Sequence, residues 1–159
     1  MPYLRPELIL DRFSAFARDD VRPSIVGEGD EFLEAQVGSM SSTMSFLSKE
    51  LEGRGDAVET QREALLDALD GVEQVVDEAD GDVDDVRTSV EATRERVSNA
   101  PRTDVYEHER VLVGASSDLL ETVEEDLDRE TAQAVREPLY GFLQTRVESQ
   151  LVMLGRDER

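Results

Sequence analysis

Apolar residues recur at intervals of three and four along almost the whole chain, and no segment sustains a two-residue alternation. That pattern predicts an all-α protein of about six helices. Pro6 suits a first helical turn, and Leu8, Ile9, Phe13, Phe16 and Ala17 form an apolar face running to about Asp20. Pro23 and the Gly27–Gly29 loop end that segment. The next runs from near Asp30 to Gly53, with Leu33, Val37, Met40, Met44, Leu47 and Leu51 in one stripe. Gly53 reads as its C-terminal stop.

Asp56 and Glu59 then look like a capping box, followed by Leu65, Leu69, Val72, Val76 and Ala79. Asp80-Gly81-Asp82 supplies a stop and a fresh cap ahead of Val83, Val86, Val90 and Val97. The periodicity passes through this point without a slip, so one long helix competes with a hairpin over 56–99. Six acids in residues 77–85 and Gly81 among them favour the hairpin. Asp104 caps a fifth helix carrying Val105, His108, Leu112, Ala115, Leu119 and Val123. A sixth begins near Glu130, is interrupted or kinked at Pro138, and continues through Leu139, Phe142, Leu143, Val147, Leu151 and Leu154.

Within the second segment, Ala35 to Ser48 holds fourteen residues without a charge, although 35% of the chain is charged. A helix uncharged on every face is normally surrounded by others, so 30–52 is expected at the centre of a single bundle spanning 1–159. Met44→Asp should then unfold it. Beside the apolar stripe lies a line of small residues, Gly38, Ser41, Ser42 and Ser45. These either admit a neighbouring helix closely or face a small ligand.

Charge narrows the function classes. There are 38 acids against 17 bases, giving a net −21, and Lys49 is the single lysine. The excess resembles the composition of proteins from salt-in halophilic archaea. Such a resemblance implies a cytoplasm of molar KCl, where a Debye length of about 3 Å screens self-repulsion that would otherwise strain the fold. No basic patch stands out to meet phosphates, which disfavours nucleic acid. No apolar run approaches a membrane span, and the N-terminus shows no signal peptide, so a cytoplasmic location is expected. The charge is uneven. Residues 1–22 hold four acids and four arginines, whereas 50–100 hold sixteen acids and five arginines.

Candidate chemistry is sparse. With no cysteine there is no disulfide, thiolate site or Cys nucleophile. The one histidine, His108, has Val105 where a di-iron motif needs Glu, and its stripe position favours packing. Asp80, Asp82, Asp84 and Glu91 half match a calcium loop, but Asp85 replaces the required glycine. The mid-helix serines lack a histidine and acid to activate them. No catalytic residue, cofactor or metal ligand is therefore assigned.

Pro6-Glu7-Leu8, Phe13, Asp20-Val21-Arg22-Pro23, Phe32 and Glu50-Leu51 resemble a family of small all-helical proteins of unknown function. Their genes often stand beside kinase-like phosphotransferases and acyl-CoA dehydrogenases. The resemblance covers about residues 6–52 and implies an accessory or partner protein without site residues. The sequence thus leads first to a non-catalytic interaction or regulatory subunit, with a protein partner or a homodimer. Its expected surface is Arg5, Arg12, Phe16, Arg18 and Arg22. Second comes a small-molecule carrier or sensor with a pocket beside Gly38 and Ser42. Third is an enzyme of unfamiliar type using Arg and Glu pairs.

Overall fold

A computed structural model describes residues 5–26, 31–79 and 83–153, and all its regular structure is helical. α1 (Pro6–Phe16), a π-helical turn (Ala17–Val21) and α2 (Arg22–Ile25) follow one another as a single run. After it come α3 (Glu31–Glu78), α4 (Asp84–Ser98), α5 (Val105–Asp126) and α6 (Arg129–Met153). The described residues thus form five helical runs where the periodicity predicts about six. Gly27, Gly29, Asp30, the Asp80-Gly81-Asp82 signal and Leu154 lie outside the described residues.

The count falls because the segments 30–52 and 56–79 are one 48-residue helix. Gly53 does not stop it, and Asp56 does not cap a new one. A glycine stop works by adopting a left-handed conformation, and neither Gly53 nor Gly55 does so. The seam explains the continuation. Leu51, Val58 and Leu65 follow at intervals of seven, so the stripe stays in phase across both glycines, and Val58 and Leu65 are fully buried. Both glycines face open space. Gly53→Ala and Gly55→Ala should each raise stability by about 0.5–1 kcal/mol in chemical denaturation, the helix-interior cost of glycine.

The chain divides into two compact units: Met1–Gly55 with Leu151–Arg159, and Asp56–Gln150. Asp56–Gln150 is an up-down-up-down bundle, built from the second part of α3 with α4, α5 and α6. Cross-helix ion pairs fix its register. Arg87 meets Asp77 at 3.0 Å and Arg94 meets Asp70 at 2.8 Å, pairs whose positions have the same sum, as antiparallel neighbours require. The chain therefore turns back between Glu78 and Asp84. Arg136–Glu124 and Arg146–Glu109 link α6 to α5 in the same sense.

Inside, Leu65, Leu69, Val72, Val76, Val86, Val90, Val97, Leu112, Leu119, Val123, Val135, Leu139 and Phe142 form one core. Asp104 caps α5 by accepting from the amides of Tyr106 and Glu107, and Asp128 caps α6 through Glu130 and Thr131. Pro138 lies inside an unbroken α6 rather than interrupting it. Gly71 makes room for it, since a Cβ there would come within 3.0 Å of the proline ring.

The first unit packs by another rule. Ser14 Oγ donates to the Ser41 carbonyl and Ser41 Oγ donates to the Ser14 carbonyl, both at 2.9 Å. One heptad away, Ser48 Oγ donates to the Glu7 carbonyl at 2.8 Å. Positions 14 and 41, and 7 and 48, share one sum, so α1 and the first part of α3 form an antiparallel helical hairpin. Arg22–Glu34 at 3.0 Å continues that register toward the turn. Ser14, Ala17, Val37, Ser41 and Ser48 are buried along this line. Hydroxyls that bond across the contact let the two backbones approach without stranding a polar group.

This packing overturns the expectation for 30–52. The helix is not surrounded: Leu33, Met40, Leu47 and Leu51 of the apolar stripe are exposed and Met44 is half-buried. Met44→Asp therefore puts no charge into a closed core, and the unfolding expected of it is withdrawn. On α1, Phe13 and Phe16 are likewise exposed, and only Ala17 of the expected face is fully buried.

Candidate functional site

The two sides of the hairpin have opposite character. On α3, Leu33, Met40, Leu47 and Leu51 form a stripe roughly 80° around the helix from the Ser41–Ser48 line, at about 100° per residue. On α1, Ile9, Phe13 and Phe16 recur at four and three. Residue numbers wind in opposite senses on two antiparallel helices, which brings both stripes to the same side. That side carries eight large apolar side chains if Met44 is counted. Between Ala35 and Ser48 it meets no charge.

The other side is a groove of about 280 Å³ lined by Ser14, Arg18, Ser41, Ser42, Ser45, Phe46 and Lys49. Three of the four expected ligand-facing residues, Ser41, Ser42 and Ser45, lie on it; Gly38 is not among its lining residues. Two of the three hydroxyls are already committed. Ser41 bonds to Ser14, and Ser42 donates back to the Gly38 carbonyl at 3.0 Å. Arg18 is held by both carboxylate oxygens of Asp19, at 2.9 and 3.2 Å. That contact raises the guanidinium pKa and lowers that of the Asp19 carboxyl.

Of the arginines expected on a partner surface, Arg5 pairs with Glu7, Arg18 with Asp19 and Arg22 with Glu34. Arg12 is exposed, and so is Phe16. Pairing within the chain accounts for the electrical neutrality of this segment. The paired side chains stay at the surface, where they share exposure with Phe13 and Phe16. The expected surface names Phe16 and the arginines of this helix, and the α3 stripe is expected in a core; Phe13, Met40, Leu47 and Leu51 are exposed instead. The available signal was the seven-residue repeat of small or hydrogen-bonding positions on both helices, 7 and 14 against 41 and 48.

In the bundle, His108 is buried in the core stripe of α5, and its Nε2 has no hydrogen-bond partner among the described residues. Burial pushes the imidazole pKa down, with the Glu59 carboxylate pulling the other way. Its apolar surroundings favour the neutral ring. Gln61 is also buried, with its Oε1 unpaired. A second, open concavity of about 410 Å³ lies over Gly71 and Pro138, with Glu78 and Glu137 as the charged residues of its lining. Among the described residues, no cluster of His, Asp and Glu could hold a metal ion, and no helix is long and apolar enough to cross a membrane.

Comparison with protein-family models, curated proteins and solved structures finds no match to this chain.

Proposed function

We propose that this protein is a non-catalytic interaction module, an accessory or regulatory subunit of a salt-rich cytoplasm, acting through the apolar side of its α1–α3 hairpin. The observation that carries this reading is the exposed seam. The four-three stripe that is buried in the bundle from Val58 onward is bare at Leu33, Met40, Leu47 and Leu51. Contiguous apolar exposure of this size marks a surface that other molecules cover. The acidic composition supports the salt-rich setting, because interactions through charge are screened there and an apolar contact is not. A second reading, a small-molecule carrier, is favoured by the groove beneath Ser45 and Lys49.

One experiment separates the two. The tagged protein is purified from its native host in molar KCl, and retained polypeptides are counted, untagged copies of this chain included. Met40→Asp should abolish retention, while Ser45→Glu, on the groove side, should leave it intact. Loss with Ser45→Glu alone would move the function to the groove. Equal retention by both variants would end the interaction reading for this hairpin.

A further inference from the structure

We infer that the apolar side of the hairpin is covered by the same side of a second copy, giving a four-helix bundle around a two-fold axis. This rests on the interaction reading and names its partner.

Charge selects the occupant first. The chain carries −21, so two copies repel unless they meet where neither bears excess charge. Residues 35–48 have no charge, and residues 1–22 balance four acids with four arginines. A strongly basic partner would gain nothing from a neutral face and would be drawn to residues 50–100, which hold sixteen acids and five arginines. The neutral apolar side is a place where this chain can meet its own copy without like-charge repulsion.

Shape agrees. Two antiparallel helices with apolar stripes on one side are half of a four-helix bundle. Self-pairing about a two-fold axis presents the same patch from both copies and closes without leaving a free face. On α3 the stripe keeps the four-three spacing of a packing seam, Leu33, Val37, Met40, Met44, Leu47 and Leu51, in register with the buried Val58 and Leu65 of the same helix.

The area is sufficient as well. Phe13, Phe16, Leu33, Met40, Leu47 and Leu51 are each between 40% and 57% exposed. At roughly 150–250 Å² for a whole large side chain, they leave on the order of 500 Å² of apolar surface per copy. With a polar rim around it, this is the apolar centre of an interface of the standard size of roughly 800 Å² per partner.

The test uses the full chain in molar KCl, with mass measured by light scattering and sedimentation over a wide concentration range. The wild type should run as a dimer. Met40→Asp and Leu47→Asp together should weaken it by on the order of a hundredfold or more while leaving the helical circular dichroism unchanged. Because the chain has no cysteine, single cysteines report the face directly. Met40→Cys and Phe13→Cys should give covalent dimers with a short bismaleimide, and Ser42→Cys should not. A monomer at every concentration, a dimer indifferent to the two aspartates, or equal cross-linking at Ser42→Cys would each overturn the inference. A monomeric chain whose Met40→Asp variant loses a different polypeptide in the host purification would assign the face to that polypeptide, leaving the interaction reading intact and the self-pairing wrong.

Discussion

Leu65→Asp should abolish the cooperative unfolding transition of the bundle, whereas Leu51→Asp should leave it in place. The comparison is a controlled one. Both residues are leucines on α3, two seven-residue repeats apart in the same phase, yet Leu65 is 0% exposed and Leu51 is 51% exposed. Truncating a buried leucine costs about 2–5 kcal/mol. A carboxylate in its place adds several kcal/mol more, because no cation or donor is there to receive it. Together these approach or exceed the roughly 5–15 kcal/mol that holds a domain folded. At Leu51 the carboxylate stays clear of the bundle core, so the transition keeps its cooperativity and shifts only by what pairing of the hairpin contributes. Thermal and urea melts followed by circular dichroism read both. A Leu65→Asp protein with a normal transition would mean the core is wrongly placed. A Leu51→Asp protein that fails to fold would mean the hairpin face is covered within the chain itself.

That pair also shows how far the sequence can be read. Periodicity named the buried positions of the bundle well: Leu65, Leu69, Val72, Val76, Val90, Leu112, Leu119, Val123, Leu139 and Phe142 lie on predicted stripes and are inside. Asp104 caps α5 as its spacing suggested. The same logic failed for residues 30–52. A stripe shows which side chains gain from burial, and it does not show whether the chain supplies a neighbour to bury them. Here α1 takes the serine line instead, because Ser14 and Ser41 satisfy one another across the contact. Gly53 misled for a related reason. Glycine permits a stop, but the phase of Leu51, Val58 and Leu65 rewards going straight on. For the candidate site, neutral charge and the charge-free window drew attention to this hairpin, but the pairing of Arg5, Arg18 and Arg22 with Glu7, Asp19 and Glu34 was not legible, because arginines that pair locally look free until their partners are located.

Salt should move stability more than most single substitutions. Lowering KCl from about 3 M to about 0.1 M lengthens the Debye distance from under about 3 Å to about 10 Å. Residues 50–100 hold sixteen acids and five arginines. All five arginines are already engaged: Arg54 with Glu50, Arg62 with Glu59, Arg87 with Asp77, Arg94 with Asp70 and Glu73, and Arg96 with Asp118. The carboxylates outnumber these arginines by eleven, so their mutual repulsion grows as screening is withdrawn. The melting temperature should fall by about 10 °C or more, equivalent to roughly 2–4 kcal/mol at this size. Asp128 gives the fold a pH dependence of definite sign. Its cap bonds to Thr131 and Glu130 lower its pKa in the folded state, so its contribution is present above about pH 4 and is lost as pH falls below that. Acid should therefore weaken the α6 cap, read as a modest fall in melting temperature below about pH 4. A melting temperature that does not change between the two KCl concentrations would show that the acidic surface imposes no such strain, and the salt-rich setting would lose its physical support.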